Sequence, residues 1–460
     1  MSAAPRRTTP RLPRLGQFQL LQGFLGDLVL RPWFDWMALK AVARGYLPLS
    51  RGWAAGQAAG GDTERFLAAR QGGAPPRALL APALQAVAGR RAAYDAAARD
   101  WEALFFGVGE PDPAALVAAE VRRHKAAHAL MATRAAFVPL LRHLPPVRWQ
   151  VARPEEVEAR HGRRLDGPKA AFPAPGEVPI EVSRPVPGAQ GMEHWLRFAS
   201  PVLGDRAWAR VLTPEDVSDP PTLISLHGIM MENEMWRGAA DPVSAAGAAG
   251  LRVVWPEGPW HGRRRLEGWY GGEPIIGRGP LGLLELFQAW LAEVAVLIHW
   301  ARETGRGPVA LGGVSLGALA SQLAAVAAHH WPAACRPDAL YLVATSGALL
   351  ALAHDSSLAT ELRLRPEIEA AGWSRDGLAR WLPLIEPRGE PALDPARIVM
   401  VIGESDDVAQ FAGGLALARA WGLPEANLFA RPQGHFSVSL GLLRDPAPLR
   451  RLAAVLAGLV

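Results

Sequence analysis

Apolar residues in the first third of the chain recur at the spacing of an α-helix. Three stretches show a period of three to four positions: residues 17–43, 76–99 and 112–144. Asp112 followed by Pro113 is typical of a helix start, because the aspartate caps the first N–H groups and proline has none to satisfy. We therefore predict a helical N-terminal region over residues 1–165.

The pattern changes after this region. Residues 166–190 are rich in Pro, Gly and charged positions, as linkers are. Beyond them, short apolar runs alternate with helical ones. We predict a linker over residues 166–190 and a second domain over residues 191–460.

Eight short apolar runs in the second domain predict β-strands. They cover residues 194–198, 207–212, 222–226, 251–255, 309–312, 339–344, 397–402 and 427–430. The first two runs are too close together for a helix between them, so they predict an antiparallel hairpin. Most later gaps have room for a crossover helix, which parallel strands require. The sequence thus predicts an α/β fold with a mostly parallel eight-stranded sheet flanked by helices.

Composition narrows the function classes. The chain has 460 residues, of which 50 % are hydrophobic and 20 % charged, as in ordinary globular proteins. Its net charge of +5 does not indicate nucleic-acid binding, because the basic residues are scattered and only three are lysine. The single cysteine, Cys335, excludes an intramolecular disulfide. Prolines interrupt the N-terminal arginines, and no convincing signal peptide follows. We expect a cytoplasmic protein that does not bind nucleic acid.

The segment GVSLG at residues 313–317 fits the pattern GxSxG. In this turn the chain passes so sharply from strand to helix that small residues are needed on both sides of the serine, whose Oγ is then exposed. An apolar run precedes Ser315 and a helix-forming sequence follows it. Ser315 is therefore the predicted nucleophile.

A serine nucleophile needs a base and an acid that orients the base. Asp406 and Asp407 follow the predicted strand at 397–402, and His435 follows the last predicted strand. We predict Asp406 as the acid, because an apolar Val408 would then turn inward and fix the loop. Asp407 remains an alternative. The predicted base is His435.

Acyl transfer also needs N–H donors for the developing oxyanion. Leu316, directly after the nucleophile, supplies one. The other is predicted in the loop after the strand at 222–226, where the N–H of Ile229 is our first choice and that of Met230 the second. His227 in this loop is interpreted as a structural residue.

The loop after the fourth predicted strand, residues 255–264, is expected to line the pocket. Its Arg263 either fixes the loop through a carboxylate, which we favour, or contacts an anionic substrate group. No His, Asp or Glu residues have zinc-ligand spacing and no phosphate-binding glycine loop is found, so we expect no metal and no cofactor.

The ordered set of HG at 227, GVSLG at 313, GESDD at 403 and GH at 434 resembles the α/β-hydrolase superfamily over residues 190–460. Within it, PWHGR at 259–263 and the helical stretch 285–300 resemble the group called α/β-hydrolase domain-containing protein 18. The superfamily implies a Ser, Asp, His triad, carried here by Ser315, Asp406 and His435. It also implies hydrolysis of esters, lipids or related acyl compounds.

The sequence leaves three functions open. The first is a serine hydrolase that forms an acyl-enzyme on Ser315 from a small-molecule or lipid acyl substrate. The second is acyl transfer to an alcohol or amine by the same groups. The third is a non-catalytic scaffold that keeps the fold and binds a ligand. The oligomeric state is not indicated.

Two further segments carry expectations. The helical stretch at 349–391, called the cap segment below, is predicted to cover the nucleophile and restrict substrate size. The apolar residues of the helix at 17–43 either pack on the hydrolase domain or another subunit, or lie at a membrane surface, peripheral to the inner membrane. We favour packing, because Asp27 and Asp35 would repel an anionic surface.

Overall fold

In a computed structural model, the described residues are 11–12, 26, 30–69, 73, 75–239 and 242–459. The described part of the N-terminal region is helical, as predicted. Besides α-helices, it contains a π-helical turn at Val42–Tyr46 and a 3₁₀ segment at Thr133–His143. Its α-helices are α1 (Pro32–Ala41), α2 (Leu47–Ala59), α3 (Thr63–Ala69), α4 (Arg77–Phe106), α5 (Pro113–Ala132) and α6 (Pro154–His161). A short helix, α7 (Pro168–Ala171), follows in the segment predicted as a linker. Asp112 caps α5 as expected, and its side chain accepts from the N–H of Ala114 at 2.9 Å. Residues 17–25 and 27–29 of the helix predicted at 17–43 lie outside the described residues.

One ten-stranded sheet forms the centre of the protein. Its strands are β1 (Glu181–Val182), β2 (Val186–Pro187), β3 (Met192–Ala199), β4 (Arg206–Thr213), β5 (Thr222–Leu226), β6 (Arg252–Glu257), β7 (Val309–Val314), β8 (Ala339–Val343), β9 (Ile398–Gly403) and β10 (Leu428–Arg431). The strand order is β1-β3-β4-β6-β5-β7-β8-β9-β10, with β2 paired to β3. Strands β5 to β10 are parallel to one another, and the pairs β1–β3, β2–β3, β3–β4 and β4–β6 are antiparallel.

All eight predicted strands are confirmed, and the predicted count was two short. The additional strands β1 and β2 lie in the segment predicted as a linker, and both pair with β3. Strands of two residues show no alternation of apolar and polar positions, so sequence periodicity cannot detect them. The domain boundary placed in that segment stays a prediction.

Helices cover both faces of the sheet, because successive strand residues point to opposite sides. In β9, Met400 and Ile402 pack on one side, and Val399 and Val401 pack on the other. The remaining α-helices are α8 (Asn233–Ala239), α9 (Pro242–Ala248), α10 (Glu273–Gly277), α11 (Pro280–Glu303), α12 (Leu316–Ala327), α13 (Leu349–Asp355), α14 (Ser357–Leu362), α15 (Leu364–Ala370), α16 (Arg375–Ala379), α17 (Phe411–Ala420), α18 (His435–Gly441) and α19 (Ala447–Ala457).

Helix α11 is the one described helix that is long and apolar enough to cross a membrane, and 83 % of its apolar window is buried in the fold. It packs in the same apolar cluster as β5, β7 and α12. Within this protein, its apolar character is accounted for by contact with the sheet.

Candidate active site

Ser315 occupies a sharp turn between β7 and α12. Its backbone is strained, with φ 55° and ψ −116°, a conformation that residues other than glycine rarely adopt. A Cβ at Gly313 would lie 2.7 Å from the carbonyl oxygen of Leu226, and one at Gly317 would lie 2.4 Å from that oxygen. Both glycines are therefore needed for β5 to pack against the turn, as the GxSxG pattern requires.

Three predicted side chains meet at this turn. The Oγ of Ser315 lies 3.0 Å from Nε2 of His435, and Nδ1 of His435 lies 2.8 Å from Oδ2 of Asp406. Because an ionised carboxylate can only accept hydrogen bonds, Asp406 favours the neutral tautomer of His435 that carries its proton on Nδ1. In that tautomer Nε2 is free to accept the proton of the serine hydroxyl. The structure thus brings Ser315, His435 and Asp406 into one hydrogen-bonded chain.

The two neighbouring aspartates have different surroundings. Asp406 is buried, and its Oδ1 accepts from the N–H groups of Val408 at 2.9 Å and Ala409 at 2.7 Å. Asp407 is exposed, and its carbonyl oxygen accepts from the N–H of Ser357. The acid in contact with His435 is therefore Asp406, the first choice from sequence, and the loop is fixed through Val408.

His435 is buried, and its pKa reflects opposing effects. Burial lowers the pKa, but the carboxylate of Asp406 raises it through charge and hydrogen bonding, and the charges of Asp35 and Asp407 raise it further. The net result is a pKa above the usual value of 6.5. This direction is what a carboxylate-supported base is expected to show.

Two backbone N–H groups flank the serine. Leu316 is the first residue of α12, so its N–H has no acceptor inside that helix. Ile229 lines the same cavity as Ser315, and its N–H donates to no group among the described residues. The N–H of Met230, the second choice, donates instead to Nε2 of His261 at 3.2 Å. Of the two loop candidates, Ile229 is thus the free donor.

His227 and His261 hold this loop as a pair of buried imidazoles in edge-to-face contact, with ring centroids 4.5 Å apart. His227 binds the carbonyl oxygen of Gly228 through Nδ1 and accepts the N–H of Gly258 through Nε2 at 2.9 Å. Burial lowers the pKa of His227 to about 4 and that of His261 well below 6.5. Both rings are neutral and structural, in agreement with the interpretation of His227 from sequence.

Arg263 lies away from the serine, against the N-terminal helices. Its side chain is 3.6 Å from the carboxylates of both Glu234 and Glu257, and it stacks on Trp101 and Trp208. It is not among the described residues of the cavity at Ser315. These contacts favour the loop-fixing interpretation over contact with an anionic substrate.

A cavity of about 190 Å³ opens beside Ser315. No charged side chain among the described residues lines it, and its polar side chains are those of Ser315, Thr345 and Ser356. The cap segment supplies about half of the lining: Leu349, Leu350, Leu352, Ala353, Ser356, Leu358, Ala359, Leu362, Leu364, Ile368, Leu378, Trp381 and Ile385. The cavity is therefore an apolar chamber with the serine hydroxyl in its wall.

One site residue was missed by sequence reasoning. Asp35 of α1 is buried and accepts hydrogen bonds from the start of α18, the helix that begins with His435. The sequence argument treated Asp35 as a surface charge, which was wrong. No local signal marks it, because its partners lie about 400 positions further along the chain. Within the described ranges, no group of three or more His, Cys, Asp or Glu side chains is arranged to hold a metal ion.

Comparison with known proteins gives the following similarities. Residues 282–357, which contain the serine turn, match the family described as alpha/beta hydrolase domain containing 18. No curated protein matches the chain. Among solved structures, acetyl xylan esterase 1 from Thermoanaerobacterium sp. is 17 % identical, with 66 % of this chain and 96 % of that chain covered, at a TM-score of 0.43.

Two other similar structures are an esterase and a hydrolase by their printed names. Brefeldin A esterase, a bacterial homologue of human hormone sensitive lipase, is 19 % identical over 68 % of this chain and 87 % of its own, at a TM-score of 0.37. The S-formylglutathione hydrolase from Agrobacterium tumefaciens is 15 % identical over 60 % of this chain and 99 % of its own, at a TM-score of 0.38. The sheet described above has the strand order of the α/β-hydrolase fold, and the family match is confined to residues 282–357 around the serine turn.

Proposed function

We propose that this protein is a serine hydrolase that cleaves a carboxylic ester or a related acyl bond through an acyl-enzyme on Ser315. The observation that carries the proposal is the 3.0 Å contact between Ser315 Oγ and Nε2 of His435, whose Nδ1 lies 2.8 Å from the Asp406 carboxylate. A serine hydroxyl is a weak nucleophile until a positioned base accepts its proton.

The proposed reaction follows from these contacts. Ser315 Oγ attacks the acyl carbon while Nε2 of His435 takes the hydroxyl proton. The N–H groups of Ile229 and Leu316 stabilise the oxyanion that forms. The alcohol then leaves with the proton from His435. Water, deprotonated by the same nitrogen, attacks the acyl-enzyme and releases the acid.

The cavity supports an uncharged aliphatic acyl group as the substrate. A buried carboxylate or ammonium group would find no charged partner among the described lining residues, and burial without a partner is costly. A cavity of about 150 Å³ holds a benzene ring, so this slightly larger cavity fits an acyl chain of roughly six to eight carbons.

Labelling with an active-site-directed phosphonate tests the proposal. The wild-type protein should react with p-nitrophenyl octylphosphonate at one serine, and Ser315→Ala should not react. Ser356→Ala is the matched control, because Ser356 lines the same cavity but caps α14 instead of contacting a base. Equal labelling of the wild type and Ser315→Ala would refute the assignment. Product analysis with competing alcohols separates hydrolysis from acyl transfer.

A further inference from the structure

Helix α18 begins with the proposed base, but the residue before it provides no capping side chain. That residue is Gly434. The first N–H groups of a helix have no acceptor within the helix and need one from elsewhere. In this protein the acceptor comes from α1, at the other end of the chain.

The acceptor is the carboxylate of Asp35, and both of its oxygens are used. Oδ1 accepts from the N–H of Phe436 at 2.6 Å and from the N–H of Ser437 at 2.9 Å. Oδ2 accepts from the hydroxyl of Ser437 and, at 3.2 Å, from the N–H of Gly434, which Ser437 Oγ also accepts at 3.0 Å. Asp35 is only 6 % exposed, so water does not compete strongly for these bonds.

The close approach of the two segments depends on the glycine. A Cβ at position 434 would lie 2.5 Å from Cγ of Asp35. The φ of Gly434 is −97°, which any residue adopts, so backbone conformation does not demand glycine there. The glycine before His435 is thus accounted for by the space that the Asp35 carboxylate occupies.

His435 lies between the residues that Asp35 binds. Its neighbours on both sides, Gly434 and Phe436, donate to this one carboxylate. The position of the imidazole relative to Ser315 Oγ is therefore set at the backbone by Asp35 and at the ring by Asp406. The two carboxylates act on the same histidine from different elements.

Asp35 also contributes charge at the base. The groups that face His435 are Asp406 and Asp407 after β9 and Asp35 on α1, and all three raise the pKa of the imidazole against the opposing effect of burial. A negative charge at the start of α18 is in addition favoured by the helix dipole.

The same helix reaches the cap segment. Lys40 of α1 and Arg44 of the π-helical turn after it both bind the carboxylate of Glu361 on α14, at 3.2 Å and 3.0 Å. Helix α1 is thus bonded through Asp35 to the residues on both sides of His435, and through Lys40 to the cap segment that lines the cavity.

We propose that Asp35 is a positioning residue for the reaction, through which the N-terminal helical region holds His435 in line with Ser315. This inference rests on the proposed serine hydrolase function. It makes the N-terminal region part of the active site, although the hydrolase sheet carries Ser315, Asp406 and His435.

A helix cap that only stabilises the fold would act differently. Asp112 caps α5 in the same region and has no contact with the active site, so it provides the matched comparison. Loss of either cap should lower thermal stability. Loss of Asp35 alone should slow the chemistry in protein that remains folded.

The experiment measures inactivation by p-nitrophenyl octylphosphonate in wild type, Asp35→Ala, Asp35→Asn and Asp112→Ala at temperatures where circular dichroism shows each to be folded. For Asp35→Ala, the maximal inactivation rate should fall by about 100-fold, the size of effect that a misplacement of about 1 Å produces. The half-saturating concentration should stay within a factor of about two, because the cavity is unchanged. Asp112→Ala should match wild type in both.

Asp35→Asn keeps the shape and one acceptor oxygen, so it covers the case in which Asp35→Ala does not fold. Its rate should fall less, and the acid limb of its pH profile should move to lower pH, because a charge that raises the pKa of His435 has been removed. A rate and a pH profile equal to those of wild type would overturn the inference.

Failure of the proposed function would look different, since wild-type protein would then not be labelled. In that case an NMR titration of the His435 Cε1–H resonance still tests the positioning role of Asp35. The resonance is assigned by its absence from the spectrum of His435→Gln. A midpoint lower in Asp35→Asn than in wild type supports the contact and its charge effect. An unmoved midpoint overturns the positioning role independently of any activity.

Discussion

The cap segment and the N-terminal helices both pack against the loops that carry Ser315 and His435, but with opposite chemistry. The cap segment presents apolar side chains to the cavity, with Ser356 as its one polar lining residue. The N-terminal helices reach the same loops through buried charges. One side of the site is suited to accept a substrate, and the other to fix the groups that act on it.

Buried ion pairs dominate the N-terminal side. Arg123 of α5 binds Glu120 at 2.8 Å and Glu234 at 2.6 Å, and Glu234 follows the loop that contains Ile229. Arg134 binds Glu232 of that same segment at 3.3 Å. Charged groups at fixed distances give a loop one geometry, whereas apolar contacts allow small shifts. In the proposed reaction, the loop that carries Ile229 is therefore followed by a segment held through ion pairs from the N-terminal helices, whereas the cavity wall is supplied by the apolar cap segment.

The largest expected effect comes from breaking the N-terminal network. Arg123→Ala removes the guanidinium that bridges buried Glu120 and partly buried Glu234, which then retain Arg237 and His124 as partners. The free energy of unfolding should fall by about 3–4 kcal/mol, in the lower part of the range for breaking a buried ion pair. Glu361→Gln, at the ion pair between α1 and the cap segment, is the matched change, and its partner Arg44 is 67 % exposed. That variant should lose less than about 1 kcal/mol. Urea unfolding measures both, and similar losses would contradict the contrast between the two sides.

A second prediction concerns the loss of folding stability at acid pH. His227 is neutral in the folded protein, with a pKa lowered to about 4, whereas the unfolded chain takes up a proton near pH 6.5. Stability is therefore lost as pH falls from about 6.5 to about 4, by about 3 kcal/mol for this group alone. His227→Gln should flatten the decline of the melting temperature over that interval. At pH 8 both states of His227 are neutral, so the constant cost of the substitution is measured there. An unchanged slope would show that His227 is not the group responsible.

The local sequence pattern was sufficient to predict the strands and loops that carry the candidate site. The continuous buried runs of β7 and β9 and the glycines around Ser315 are local features, so the strands, the serine turn and the Asp406 loop could all be predicted. The contacts of the N-terminal helices with the site could not be predicted, because they join segments that are distant in sequence. Asp35 and Phe436 are 401 positions apart, and neither residue is unusual in its own helix. Pairing of this kind is specified by the tertiary fold alone.

A third prediction tests the apolar cavity that the cap segment lines. Ala353 on α13 lines the cavity, so Ala353→Trp should fill part of it and shift preference from octanoyl toward acetyl p-nitrophenyl esters by roughly 10-fold to 100-fold in the ratio of kcat/KM values. Thr360→Trp is the control, because Thr360 is exposed and does not line the cavity. An unchanged chain-length ratio in Ala353→Trp would exclude this cavity as the acyl site.

The smallest expected effect concerns the outer face of α1. Trp33, Trp36 and Met37 are 44 %, 60 % and 47 % exposed, and Lys40 lies 4.7 Å from the Trp36 ring. The spacing of these residues places them on one side of the helix, whereas Asp35 points inward and so cannot repel an anionic surface. We propose that this face makes peripheral contact with an acidic membrane, near the acyl cavity.

Flotation with phosphatidylglycerol vesicles measures this contact. Replacing Trp33 and Trp36 by serine should weaken binding by about 1 kcal/mol per side chain, because each ring would be only partly buried in the interface. Leu79→Ser removes an equally exposed apolar residue from α4 and should leave binding unchanged. If the full chain does not float with these vesicles, the membrane proposal fails, and the exposed tryptophans remain a feature of α1 that the proposed reaction does not require.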